Sequence, residues 1–346
     1  MKLENAIKKN KVVNIDSFLC STTETPSSRM GASSIAIKCE RACWLSFHWT
    51  ITRTIEPRIH RIFEVGKIYE DMMKSYLEKS LGIEIKYTGK EQIKEEISPH
   101  FVCMPDGIIL EGVPTAEKTI HTWECKSCNK ETYTKLVKNG LELAKPEYYV
   151  QTQCEMYAAS LFLKKKVERA FFTALCKDNE EIYAERIDFD EDTLNTYLAK
   201  AERIRTANTL PNPISEDPTF FLCKMCPYST FCFLTHEIKN INCRTCTHST
   251  PEKDGTWSCA LDKMYDWKIG ALDKKWQEVG CDYHAFNPSL MFNYPHVAEC
   301  STETSVAFEN PSTGEIIING IDGISSEEFL KTMTPQKQKG EAIEWN

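Results

Sequence analysis

From Arg61 onward the apolar positions Ile62, Val65, Tyr69, Met72 and Tyr76 recur at three- and four-residue spacing. This predicts an amphipathic helix that carries Gly66 and Glu70, runs to about Ser80 and stops at Gly82. The pattern then shortens. Ile83 to Tyr87, Phe101 to Leu110 and Thr119 to Ser127 read as strands, the second interrupted by Pro105-Asp106-Gly107, a tight-turn signal. A helix is expected behind Pro146, with Gln153 and Tyr157 one turn apart on one face. Arg169 to Cys176 and Ile182 to Phe189 flank Lys177-Asp178-Asn179-Glu180 as a hairpin, and a polar helix from Asp190 to about Ala207 follows. Upstream, Gly31 to Phe47 reads as a helix capped by Ser33 or Ser34. Helices beside a mixed sheet make an α/β or α+β core.

The ends differ from this centre. Residues 1–30 are rich in Ser and Thr with little periodicity, which predicts a flexible or loosely docked arm. Ser305 to Phe308 and Glu315 to Asn319 surround Asn310-Pro311-Ser312-Thr313-Gly314 as a terminal hairpin, and the chain beyond about Lys331 is expected to fray. The expected division is an arm over 1–30, a main domain over 31–235, a cysteine-rich region over 236–300, and a hairpin with tail over 301–346.

Composition narrows the function classes. The 346 residues are 41% hydrophobic and 27% charged, as in a soluble globular protein of one large or two modest domains. No run approaches the roughly 20 apolar residues of a membrane span, and the start lacks a secretory core, so no membrane partner and a cytoplasmic location are expected. In such a reducing compartment sixteen cysteines point to metal sites rather than disulfides. A net charge of −8 excludes a broadly basic DNA-coating protein. A local positive approach remains available in Lys38, Arg41, Arg53, Arg58 and Arg61.

The candidate chemistry centres on Asp106 and on Glu124-Cys125-Lys126. Glu124 and Lys126 lie two apart on one strand and project from the same face. Two carboxylates, with the Cys125 carbonyl between them, offer hard oxygen ligands for Mg²⁺ or Mn²⁺. The ammonium can orient water or stabilise a phosphorane. Glu70 can add a third carboxylate, and Gln153 and Tyr157 can bridge metal-bound water to a phosphate.

The ordered set Gly66-x-x-x-Glu70, Pro105-Asp106-Gly107, Glu124-x-Lys126 and Gln153-x-x-x-Tyr157 resembles the PD-(D/E)XK nuclease superfamily, in its RecB-like and lambda-exonuclease-like (YqaJ-type) branches. Gln151-Thr152-Gln153-Cys154-Glu155-Met156-Tyr157 is similar to the Q-x-Q-x-x-M-aromatic helix of the phage exonucleases. The likeness covers about residues 30–235. It implies a restriction-endonuclease-like α/β core, Glu70, Asp106 and Glu124 as metal ligands, Lys126 as the catalytic lysine, and Gln153 and Tyr157 as the helix motif. One departure is that the first helix lacks the histidine of many RecB-like members, since His60 lies ten positions before Glu70.

Two cysteine sets follow. Cys223, Cys226 and Cys232 supply three thiols, which need a fourth ligand from Cys39, Cys43 or His236 to hold zinc or an iron-sulfur cluster. Their C-x2-C-x5-C spacing resembles that of iron-sulfur nucleases among CRISPR-associated four-cysteine proteins and AddB-type helicase-nucleases. That likeness implies a [4Fe-4S] cluster on Cys39, Cys223, Cys226 and Cys232, with Cys39-Glu40-Arg41 as the expected context. Zinc on the same residues, or unliganded buried thiols, are the alternatives. Cys243, Cys246, Cys259 and Cys281 form a zinc-ribbon-like pattern for Zn²⁺, with His284 an alternative ligand or a group beside the site; unliganded cysteines or a second iron-sulfur cluster are the alternatives. Cys20, Cys103, Cys128, Cys154, Cys176 and Cys300 show no ligand spacing.

Together these readings predict a metal-dependent DNA exonuclease of phage recombination or replication. DNA ends would be its substrate, and a single-strand annealing or replication protein a candidate partner. A structure-specific junction or flap endonuclease and a non-catalytic cysteine-rich DNA-binding module are the alternatives.

Overall fold

The computed structural model describes residue 16 and residues 21–333, so most of the expected arm, Cys20 and the tail from 334 on lie outside the described residues. The chain divides into two compact units, Met1–Ile37 with Thr52–Ala201, and Lys38–Ile51 with Glu202–Asn346. This division differs from the expected one. The second unit takes a short segment from before the first unit's main body, and it includes all eight cysteines of the two candidate sets.

The first unit is mixed α/β. Its main sheet contains β2 (Ile85–Lys86), β5 (Gly107–Ile109), β6 (His121–Cys128), β7 (Arg169–Cys176) and β8 (Ile182–Asp188), in the order β8-β7-β6-β5-β2. The pair β6 and β7 is parallel, with Glu124 opposite Phe172 and Lys126 opposite Ala174; the other pairs are antiparallel. A smaller sheet joins β1 (Met30–Gly31), β4 (Phe101–Cys103) and β3 (Glu95–Ser98). The run Phe101 to Leu110, expected as one strand, is thus two strands in different sheets, separated at Pro105 where no backbone N–H can continue a ladder. Part of the expected arm is also tied down: Thr22–Thr23 pairs with Thr54–Ile55, and Met30–Gly31 with β4.

The longer helices that follow among the described residues are α1 (Pro57–Leu81), α2 (Lys130–Ala144), α3 (Pro146–Leu163) and α4 (Glu191–Thr206), the last running past the first unit's end at Ala201. Helix α1 begins earlier than its periodicity suggests, because Pro57 is pre-set for a first turn, and it ends as expected at a left-handed Gly82. Strand alternation sorts the core into two layers. Trp123, Cys125, Phe171, Leu175 and Ile109 pack with Met73 and Leu77 of α1. Ile108, Phe172, Ala174 and Cys176 pack with Leu136 and Leu141 of α2 and Met156 and Ala159 of α3. Helix α2 kinks at Gly140, whose φ of 74° suits glycine, and Glu185 accepts the freed Leu141 N–H at 2.8 Å. The helix expected over Gly31 to Phe47 is broken. A short turn, Ala32–Ile35, has no side-chain cap, and Lys200 donates to the carbonyls of Ile35 and Ile37 just beyond it.

The second unit is built around the helix Glu40–Phe47, which buries Trp44, Leu45 and Phe47. Arg244 is 1% exposed; its guanidinium lies 3.7 Å from the Trp49 ring centroid and 4.6 Å from that of Trp257, and donates to Phe47 O and Gln277 Oε1. This caged cation fastens the early segment to the late one. Two antiparallel pairs follow, Ser249–Pro251 with Trp257–Cys259 and Ser305–Glu309 with Ile316–Gly320, the latter the expected terminal hairpin. Among the described residues no helix is long and apolar enough to cross a membrane.

Candidate active site

The P-D-G turn is held from several sides. Gln92 donates its amide to the carbonyls of Met104 (3.2 Å) and Pro105 (3.0 Å) and reaches Asp106 Oδ1 at 3.5 Å. A Cβ at Gly107 would meet Ile85 Cγ2 at 2.7 Å and Thr88 Cγ2 at 2.9 Å, so the turn can pass only as glycine. Asp106 Oδ2 accepts the Cys125 N–H at 2.9 Å, docking the turn onto the middle of β6. There β6 presents Glu124 and Lys126 on the face that packs on α3, while Trp123 and Cys125 face the other way. The Cys125 thiol is pushed up to about 12, by burial first.

Lys126 Nζ donates to Glu124 Oε1 and lies 5.5 Å from the Tyr148 ring centroid. Gln151 donates to Glu124 Oε1 at 2.8 Å and to Glu155 Oε1 at 2.7 Å, so one amide ties a strand acid to a helix acid. Glu124 is 0% and Glu155 1% exposed. Their Oε2 atoms are buried with no donor among the described residues, and the two carboxyls lie within hydrogen-bonding reach of one another. Such a contact holds only while a proton or a cation lies between them.

The electrostatics agree with the geometry. Burial and then the Asp106 charge push Glu124 up to about 8, against the opposing pull of Lys126. Burial and then the charges of Glu124 and Asp106 raise Glu155. On α1, Glu70 is pushed up to about 7 by burial, then by Asp106 and Asp71, and it also feels Lys126. Lys126 is raised because Glu124, Asp106 and Glu155 outweigh its own burial. Glu70, Asp106, Glu124 and Lys126 therefore act on one another from a helix, a turn and a strand.

No hydrogen bond among the described residues joins Gln153 or Tyr157 to this group. Gln153 donates to Asp188 O at 3.2 Å and accepts the Asp190 N–H at 2.7 Å, so its amide ties α3 to the start of α4. Tyr157, one turn on, shares that side of the helix. The residues that reach Glu124 are Gln151 and Glu155, also one turn apart but rotated away from Gln153. Their i, i+4 polar spacing was the available signal.

Each cysteine set lines one small cavity of the second unit. Cys39, Cys223, Cys226 and Cys232 share one with Ala42, Leu45 and Tyr228. Burial first, and then neighbouring thiols including Cys39, push Cys223, Cys226 and Cys232 up. Arg41 also reaches Cys232. Cys243, Cys246, Cys259 and Cys281 share the other with His248 and His284, and burial pushes Cys243 and Cys246 up to about 12. His284 is not a free ligand: its ring nitrogens bond the hydroxyls of Ser326 (2.7 Å) and Thr245 (3.1 Å). His248, which sequence reasoning passed over, lines the same cavity with Nε2 buried and without a partner among the described residues. Among the described residues, no three or more His, Cys, Asp or Glu side chains are drawn tightly enough to hold an ion as they stand.

No family model matches the chain, and no curated protein matches it. Solved structures give remote matches. An alkaline exonuclease (LHK-Exo) from Laribacter hongkongensis is 19% identical over 52% of this chain and 87% of its own, with a TM-score of 0.38. The same enzyme in complex with dAMP matches at 17% identity over 51% and 86%, TM-score 0.38. SSO0001 matches at 16% identity over 67% and 96%, TM-score 0.37.

Proposed function

We propose that the chain is a divalent-metal-dependent deoxyribonuclease with a restriction-endonuclease-like core, acting as an exonuclease on DNA ends. The observation that carries this reading is the meeting of Asp106, Glu124 and Lys126 on adjacent backbone, with Glu70 in their field and an oxygen of Glu124 buried without a donor. An orphaned, desolvated carboxylate oxygen beside other acids fits a hard cation. Asp106, Glu124 and Glu70 would hold Mg²⁺ or Mn²⁺, with the Cys125 carbonyl as a further oxygen donor. When bound, the ion supplies a low-pKa water and neutralises charge on the phosphate.

The side chains do the rest. Asp106 is fixed by the Cys125 N–H and Gln92, so its position does not depend on substrate. Lys126 remains charged among its acids and can turn from Glu124 to orient the attacking water or meet the phosphate oxygen. Gln151 keeps Glu124 from swinging away when Lys126 leaves it. Four cysteines at each of the two cavities would hold a [4Fe-4S] cluster (Cys39, Cys223, Cys226 and Cys232) and a Zn²⁺ ion (Cys243, Cys246, Cys259 and Cys281), each bracing the second unit. A phage recombination or replication role, with a single-strand annealing partner, follows from the same reading.

The test uses Mg²⁺ with end-labelled linear duplex and covalently closed circular DNA. Digestion of the linear form alone supports the exonuclease reading. Cutting of the circle assigns an endonuclease. Cleavage by Asp106→Ala at the parental rate removes the site.

A further inference from the structure

Three aromatic rings of the second unit form a ladder that the proposed chemistry does not use. Tyr265 stacks on Trp267 with centroids 5.5 Å apart and planes 14° apart, and Trp267 meets Tyr283 at 5.2 Å and 32°. Burial of apolar surface does not account for it, since Tyr265 and Tyr283 are each 46% exposed. The loop is also built at a conformational cost. Asp266 and Lys268, neither of them glycine, have φ of 49° and 60°, with Gly270 at 72°. The Asp262 carboxylate holds this loop by accepting the N–H groups of Ile269 (2.8 Å) and Gly270 (3.0 Å). Strained backbone that keeps large rings in water persists only where the surroundings enforce it, and such places are typically binding surfaces.

We propose that Tyr265, Trp267 and Tyr283 form a stacking platform for single-stranded DNA. Two stacked rings with nearly parallel planes, continued by a third, present π-faces to solvent, and any base can extend such a stack. Lys263 and Lys268 flank Tyr265 and Trp267 in sequence, and both are largely exposed, with side-chain exposures of 73% and 80%. Their carboxylate neighbours, Glu252 at 3.7 Å and Asp266 at 4.0 Å, leave these ion pairs loose, so the ammonium groups can turn to a phosphate at little cost. The choice of DNA over a peptide rests on the nuclease reading. With so few cations the affinity comes from stacking rather than counterion release, so its salt dependence should be shallow.

The experiment uses the full-length Asp106→Asn chain, to keep DNA intact, and the fluorescence anisotropy of a labelled oligothymidylate. Trp267→Ala and Tyr283→Ala should each weaken binding roughly tenfold. Tyr283→Phe, which keeps the ring, should restore it, and a duplex of equal length should bind less well than the single strand. Undiminished binding by Trp267→Ala overturns the proposal. So does ladder-dependent binding of an arginine-rich peptide together with no binding of the oligonucleotide. Because the readout is binding, a failure of Asp106→Ala to abolish cleavage sinks the nuclease reading without changing these outcomes.

Discussion

Asp106 Oδ2 accepts the backbone N–H of Cys125 at 2.9 Å, so the acid of the P-D-G turn is registered on the strand that carries Glu124 and Lys126. An amide oxygen can make the same bond without the charge. Asp106→Asn is therefore expected to keep the thermal midpoint close to that of the parent while lowering Mg²⁺-dependent cleavage by roughly two orders of magnitude or more. Timed digestion and a melting curve on one preparation separate the two effects.

Two glutamines two residues apart should fail in different ways. Gln151→Ala removes the amide between Glu124 and Glu155 and should reduce cleavage more than stability. Gln153→Ala leaves the Asp190 N–H without its acceptor and should cost about 1–3 kcal/mol of stability with little direct loss of turnover. Urea unfolding and turnover measured on both variants should show this crossed pattern. The same loss of turnover in both would remove the distinction between the two faces of α3.

The pH response follows from the raised acids. Glu70 at about 7 and Glu124 at about 8 lie above their unfolded values, so the folded, metal-free site binds protons that the unfolded chain has released. Their stabilising contribution is complete below about pH 4.5 and is lost as pH rises through 7 and 8. A divalent cation replaces those protons. The Mg²⁺-induced rise in melting temperature should therefore be larger at pH 8 than at pH 6, and Glu124→Gln should flatten the difference.

His48 gives an independent signal in the second unit. Burial holds it down to about 3, opposed by its bond to Trp44 O, while the unfolded value is 6.5. Its contribution is complete above about pH 6.5 and is lost as pH falls towards 3, by up to about 1.4 kcal/mol per pH unit. Wild-type protein should lose more urea resistance between pH 7 and pH 5 than His48→Phe does.

For the cysteine sets the readout is metal content. Cys223→Ala should abolish iron and acid-labile sulfide in anaerobically purified protein while leaving zinc, and Cys259→Ala should do the reverse. A colourless parent containing zinc alone would reassign the first set.

Much of this site was legible because β6 alternates. Trp123 and Cys125 share one face of the strand, so Glu124 and Lys126 had to share the other. Helix α3 was harder to read because its buried residues, Val150 and Thr152 through Met156, run all the way round it. With no polar face to orient the helix, the sequence offered both Gln151 and Gln153, and only the neighbouring β6 and α4 distinguish them. Phe101 to Leu110 misled for a related reason: its apolar residues serve two sheets, and hydrophobicity carries no mark of which sheet a residue joins. Gln92 carried no local pattern, since its partners Met104, Pro105 and Asp106 lie beyond the intervening strands β3 and β4, whereas Glu155 was marked only by its i, i+4 spacing from Gln151.

The cage around Arg244 has a consequence for how the protein is made. Trp49 leaves the ribosome long before Arg244 does, by roughly 10–40 s at ordinary elongation rates. During that interval the early helix, with Trp44, Leu45 and Phe47, has no permanent home. A nascent chain stalled or truncated near position 201 would hold all of the first unit's sequence together with the apolar segment 38–51, which lacks the later residues it packs with. Chaperone capture at that segment, or aggregation through it, is the vulnerability that comes with building one unit from two widely separated stretches of chain.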